Sequence, residues 1–198
     1  MSNHHCVDYN VLRQQLLAKR KMIPVSKRDM DSQRLCSLLW DYCEQHFKPQ
    51  LLIAAFWPIG HEIDIKPLLF KLDQAGFHII LPKVLEKDAP LHFFRWTSQS
   101  PMTVGHFNIP EPLTSEEIHL TPDIVFTPLV GFTRQGDRLG YGKGYYDRTL
   151  AKWIARGQDP LTIGLSWDEG LIEDSHYQAA EHDIPLKRIL TPSGWVLY

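Results

Sequence analysis

Residues 134–150 read RQGDRLGYGKGYYDRTL, and this stretch organises the rest of the chain. It holds four of the protein's 12 glycines, with four basic residues, three tyrosines and two aspartates. Gly140, Gly142 and Gly144 alternate with Tyr141 and Lys143. Glycine tolerates positive φ and lets a backbone come close to a ligand. Successive N–H groups in such a loop can form a concave anion site. Upstream, residues 123–130 (DIVFTPLV) have the apolar character of a buried strand. Downstream, Tyr146, Leu150, Trp153 and Ile154 recur at helical spacing, which predicts a helix over residues 145–154. Strand, glycine-rich loop and helix N-terminus in that order favour phosphate. Arg138 and Lys143 supply cations, and Arg148 follows one turn on. Asp147 falls in the first helical turn, where an acid either complements the helix dipole or holds a magnesium ion that bridges phosphates. The stretch is not a Walker A loop, because Lys143 is followed by Gly144 rather than Ser or Thr. It is not G-x-G-x-x-G either, since its third glycine comes one residue early.

Working outward, the remaining segments predict alternating strands and helices. Residues 8–21 read as a helix with Leu12, Leu16 and Leu17 on its apolar stripe. Arg13 and Arg20 lie seven apart on one face, which by itself is most simply a solvated face. Ser26 and Asp29 resemble a capping box. The helix that follows carries Leu35, Leu38, Leu39, Tyr42 and Phe47 at core spacing. Residues 51–57 (LLIAAFW) read as a strand buried on both faces. They end in P-I-G-H-E-I-D, and polar residues just past such a strand are where open α/β sheets bind ligands. Glu62 and Asp64 are therefore candidates, with helix capping as their plain alternative, because residues 65–75 follow as a helix closed by Gly76. Residues 77–82 complete a β-α-β unit with a parallel strand pair. Residues 91–96 form a further strand on the edge or in a hairpin, and residues 105–112 a loop with two prolines. Residues 161–167, 187–190 and 195–198 are the last strands. The alternation predicts an α/β fold: a three-layer α/β/α sandwich with a mostly parallel central sheet, in a single domain over residues 1–198.

Composition sets bounds on function. The chain has 198 residues, 43% of them hydrophobic and 22% charged, as in a soluble globular protein. A net charge of −2 argues against nucleic acid or a membrane surface as partner. Three cysteines make no disulfide framework, and a reducing cytoplasmic setting is expected. Cys36 and Cys43 are expected to be packing residues. His176 and His182 do not have a persuasive zinc spacing.

R-L-G-Y-G-K-G-Y-Y-D-R at residues 138–148 resembles the signature of the 5-formyltetrahydrofolate cyclo-ligase family. The resemblance runs from about residue 9 to residue 192. It extends to G-H-F-N-I-P-E-P at residues 105–112 and to H-D-I-P-L at residues 182–186. It implies ATP-dependent cyclisation of 5-formyltetrahydrofolate to 5,10-methenyltetrahydrofolate, with ADP and phosphate released and magnesium as cofactor. Residue by residue, it implies ATP contacts from Arg13, Arg138, Leu139, Gly140, Tyr141, Gly142, Lys143, Gly144, Tyr145 and Tyr146. Lys143 and Arg138 serve catalysis. Trp57, Glu62, Phe107 and Tyr145 hold the folate, with Glu62 on the pterin. Asp147 and Asp183 bind magnesium. Tyr9 stands where the family usually has a lysine, Glu169-Gly170 where it has a glutamine, and Tyr177-Gln178 where it has Leu-Pro. Reduced folate and ATP are the expected partners of a cytoplasmic monomer that binds neither nucleic acid nor membrane. Two alternatives stay open: a folate- or nucleotide-binding protein without turnover, and a sugar-phosphate isomerase or CoA-transferase-like enzyme on a similar scaffold.

Overall fold

In a computed structural model, the structure describes residues 8–173, 177–180 and 183–196, apart from the side chain of Phe107. His176 and His182 lie outside the described residues. Helix α1 (Tyr9–Met22) opens on Asp8, whose carboxylate accepts the N–H groups of Asn10 and Val11. Helix α2 (Val25–His46) follows after a two-residue break. The expected Ser26–Asp29 box does not form. Arg28 N already donates to Pro24 O at 2.9 Å, so the helix begins before Ser26 could cap it, and no side chain caps the end.

Next come strand β1 (Leu52–Ala54), helix α3 (Lys66–Gln74), β2 (His78–Lys83) and β3 (His92–Trp96). A hairpin of β4 (Met102–Val104) and β5 (Pro110–Pro112) brackets a short 3-10 turn at His106–Asn108. Strand β6 (Ile124–Pro128) leads to a second, smaller hairpin, β7 (Gly131–Phe132) with β8 (Arg138–Leu139). Then follow helix α4 (Tyr145–Ile154), β9 (Leu161–Leu165), β10 (Arg188–Thr191) and β11 (Gly194–Val196).

The main sheet has the order β11-β10-β9-β6-β1-β2-β3. Strands β10, β9, β6, β1 and β2 are parallel to their neighbours, and the two edges, β3 and β11, run antiparallel. Side chains alternate across it. Ile53, Ile79, Phe126 and Leu165 face α2 and α3 through Leu35, Leu39, Leu68, Leu69 and Leu72. Ala54, Ile80, Val125 and Ile189 face α4 through Leu150 and Trp153. The result is the expected three-layer sandwich. Cys36 and Cys43 are buried free thiols, and burial pushes both up to about 12, which makes them inert at neutral pH.

One topological feature positions the site. From β1 the chain steps to β2 on one side, while β6 and β9 stack on the other. The loops leaving the carboxyl ends of β1 and β6 therefore diverge at a crevice, the usual ligand position in open α/β sheets. Helix α1 packs at this end. Its Leu16 belongs to a separate small cluster with Val130, Leu139, Ile172 and Tyr177.

Candidate active site

The crevice is built from three loops and α1. After β1, residues 59–62 close a turn on themselves. Glu62 N donates to Ile59 O at 3.0 Å, and Ile59 N donates to Glu62 Oε2 at 2.9 Å. This aims the other carboxylate oxygen, Oε1, at the loop that follows β8. There the Tyr141 hydroxyl donates to Glu62 Oε1 at 2.6 Å and accepts from Arg20 Nη1 at 2.9 Å. The other guanidinium nitrogen of Arg20 donates to the carbonyl of Leu129. Burial pushes the Glu62 carboxyl above its usual range, and the donors Tyr141 and Ile59, with the charge of Arg20, hold it back.

The expectation of a solvated face for Arg13 and Arg20 fails here. Arg20 is only 4% exposed. Arg13 Nε donates to Gly140 O at 2.7 Å, and its guanidinium lies against Gly142. Both arginines point from α1 onto the glycine loop, which explains why they share a helix face. Sequence reasoning carried only Arg13 into the site. Their seven-residue spacing was the signal that could have brought Arg20 with it.

The loop itself behaves as its glycines require. Gly144 precedes α4 at φ +65°, a left-handed conformation costly to other residues. No side chain caps α4, so its amino end is left for an anion. Lys143 is exposed, and its amine has no ion-pair or hydrogen-bond partner among the described residues. Arg148 Nη2 ties the loop back by donating to Lys143 O at 2.6 Å, and its guanidinium lies 5.2 Å from the centre of the Tyr145 ring.

Beneath the loop, Arg138 is 6% exposed and paired with Asp147, and its buried Nε has no partner among the described residues. Asp147 Oδ1 also accepts from Ile184 N at 3.4 Å, which brings the 183–184 segment alongside α4. Asp183 Oδ2 accepts from Ala180 N at 3.0 Å. No group of three candidate metal ligands occurs among the described residues. The Asp147 carboxylate is thus engaged by Arg138 and by the amide of the residue that follows Asp183. Tyr146 buries its hydroxyl without a partner among the described residues. Burial raises its pKa, the charge of Glu62 adds to this and that of Arg138 opposes it.

The remaining expected residues are less closely engaged. The Leu139 side chain packs in the cluster around Leu16, and its carbonyl accepts from Val130 N at 2.9 Å. Trp57 is half-buried, tilted against Trp96 at 6.1 Å with Lys66 Nζ 6.0 Å from its ring. Asp64 Oδ1 accepts from Lys66 N at 3.0 Å just ahead of α3, whose N-cap is Ile65 and which no side chain caps, so the expected capping by Asp64 takes the form of a local turn.

A model of the 5-formyltetrahydrofolate cyclo-ligase family matches residues 7–192. The chain belongs to this family. It is 31% identical over 182 residues to the 5-formyltetrahydrofolate cyclo-ligase of Escherichia coli strain K12, covering 88% of this chain and 94% of that one. Its fold resembles the NMR structure of Aquifex aeolicus 5,10-methenyltetrahydrofolate synthetase, with a TM-score of 0.79 and 29% identity over 94% of this chain and 91% of the other. The Mycoplasma pneumoniae 5,10-methenyltetrahydrofolate synthetase superposes with a TM-score of 0.73 and 25% identity, covering 94% and 99% of the two chains. The protein is thus an enzyme of the cyclo-ligase type.

Two details of the cyclo-ligase pattern acquire physical reasons here. In residues 105–112 a Cβ on Gly105 would overlap the Glu111 carboxylate. That carboxylate faces Lys83 Nζ at 3.8 Å, while Lys83, 9% exposed, donates to Thr114 O at 3.0 Å and lies 4.3 Å from the centre of the Phe94 ring. The glycine and the glutamate of G-H-F-N-I-P-E-P are therefore one packing unit that pins the β4–β5 hairpin to the end of β2. Two of the departures from the family pattern also meet in space. The Tyr9 hydroxyl donates to Gln178 O at 2.5 Å, and its ring packs edge-on against Tyr177 with centroids 5.7 Å apart. The Tyr177 hydroxyl in turn donates to Arg138 O at 3.1 Å.

Proposed function

We propose that the protein catalyses the ATP- and magnesium-dependent cyclisation of 5-formyltetrahydrofolate to 5,10-methenyltetrahydrofolate, releasing ADP and phosphate. The observation that carries this reading is the contact between Tyr141 and Glu62. It ties a carboxylate able to accept paired N–H donors from a pterin to the glycine loop that leads into an uncapped helix N-terminus, beside a lysine with no partner among the described residues.

The chemistry asks for positioning more than for a protein nucleophile. The formyl oxygen attacks the γ-phosphorus and ADP departs. N10 then attacks the activated formyl carbon and loses its proton, and phosphate leaves with the former formyl oxygen. Glu62 orients the pterin, with Trp57, Phe107 and Tyr145 as its apolar and aromatic surroundings and Tyr146 behind them. Arg13 steadies the glycine loop. Lys143 and the loop amides receive the transferred phosphoryl group, and the unpartnered Nε of Arg138 offers one more donor from below. Asp147 and Asp183 would hold magnesium, which supplies positive charge to the nucleotide phosphates when bound. The reading carries with it a cytoplasmic monomer acting on small molecules. Among the described residues no helix is long and apolar enough to cross a membrane.

A spectrophotometric assay tests the proposal. Protein mixed with 5-formyltetrahydrofolate and Mg-ATP should generate the absorbance of the methenyl product, and a control without ATP should stay flat. Folate binding without that absorbance would mean sequestration instead of turnover.

A further inference from the structure

Arg20 is a cation sealed inside the protein, and no step of the reaction above uses it. It emerges from α1 and forks. One nitrogen holds the Leu129 carbonyl at the exit of β6, and the other holds the Tyr141 hydroxyl at 2.9 Å. Tyr141 then donates to Glu62 Oε1 at 2.6 Å. A forked guanidinium fixes two acceptors at once in a way that a lysine ammonium does not. Tyr141 is also part of the glycine loop, between Gly140 and Gly142, so a ligand that orders the loop backbone orders this ring. Glu62 therefore has its orientation set from both sides of the crevice: by the Ile59 amide on its own loop and by the nucleotide loop through Tyr141.

We propose that Arg20 is a positioning residue, and that the Arg20–Tyr141–Glu62 chain couples occupancy of the glycine loop to recognition of the folate ring. The proposal rests on the assignment of Glu62 to folate and of the loop to nucleotide. Nucleotide on the loop pins Tyr141 and so preorganises Glu62, which lowers the cost of binding the ring. Linkage makes the effect reciprocal, so bound folate tightens nucleotide equally. Each Glu62 oxygen keeps a lone pair for the ligand, so the chain supports the ring without competing for it.

The chain also sets the charge state of Glu62. The groups facing that carboxylate are Arg20 from α1, Tyr141 from the glycine loop and Tyr146 from α4, with His61 its chain neighbour. A hydroxyl donating to a carboxylate favours the ionised form. Its removal lets burial drive the Glu62 pKa further up, and the acid limb of the folate kcat/KM profile moves to higher pH.

The test uses the full-length protein and the variants Tyr141→Phe and Arg20→Lys. Affinity for 5-formyltetrahydrofolate is measured with and without magnesium and a non-hydrolysable ATP analogue. In the wild type the analogue should tighten folate by about five-fold or more. In Tyr141→Phe the tightening should vanish and folate affinity should fall by about ten-fold. Arg20→Lys should shift both quantities in the same direction, and because Tyr141→Phe keeps the buried arginine, misfolding of the lysine variant leaves the test intact. Tightening absent from the wild type, or retained in Tyr141→Phe, would overturn the coupling while leaving the enzyme's activity explained. A wild type that binds neither ligand would overturn the functional reading itself.

Discussion

At the scale of single residues, the described site divides into groups already satisfied and groups left waiting. Arg13, Arg20 and Glu62 have partners for their polar atoms within the protein. Lys143 has none among the described residues, and Arg138 Nε and the Tyr146 hydroxyl are buried without one. A buried unpaired donor is costly and calls for a bound water or ligand atom to explain it, while an exposed cation beside an uncapped helix N-terminus, as at Lys143, is placed to meet an anion. Lys143→Ala should therefore lower kcat/KM by roughly 10–100-fold, about 1.5–3 kcal/mol, with the fold intact. Steady-state kinetics would show it, and an unchanged kcat/KM would put the phosphate elsewhere. Lys143, Glu62 and Asp147 were legible from the sequence because each sits in a short motif at a strand or helix end. Arg20 and Lys83 were not. A charged residue on an amphipathic helix, or closing a strand, is ordinarily solvated, and only the loops that arrive later in the chain bury these two.

Elements show the same division between what spacing reports and what it does not. Helix α4 begins and ends where its apolar spacing and preceding glycines place it. Strand β1 is shorter than its apolar run, three residues instead of seven. The run records burial, and Phe56 and Trp57 stay wholly or partly buried after the ladder ends. The β4–β5 hairpin was invisible because proline at both ends of β5 reads as loop, yet Pro110 and Pro112 still pair with β4. What holds that hairpin is the Gly105–Glu111–Lys83 unit. Gly105→Ala should push the carboxylate away from a lysine that is itself almost buried. We expect a loss of about 1–3 kcal/mol, seen as a fall of roughly 3–10 °C in Tm. A Tm within a degree of wild type would mean that Glu111 finds another route to Lys83.

For the whole molecule, the layers share their strands. Residues of β1, β2, β6 and β10 serve the core under α2 and α3 on one face and the core under α4 on the other. Neither face can melt without exposing the other, so denaturant unfolding should follow one transition by both tryptophan fluorescence and far-ultraviolet circular dichroism. Two separated transitions would split the chain into two units. The fold class was legible because alternating apolar runs and amphipathic segments leave few layered arrangements. The strand order was not, and with it went the knowledge that the loops after β1 and β6 share a crevice. Helix α1 adds an order of events in the life of the chain. It is the first described element to leave the ribosome, yet its partners are Leu129, Gly140, Tyr141 and the carbonyl of Gln178, near the other end. At ordinary elongation rates it waits on the order of ten seconds for them. The site is therefore incomplete until the chain has been made through residue 178, and a chain cut short before that point carries α1 without the last of its docking partners.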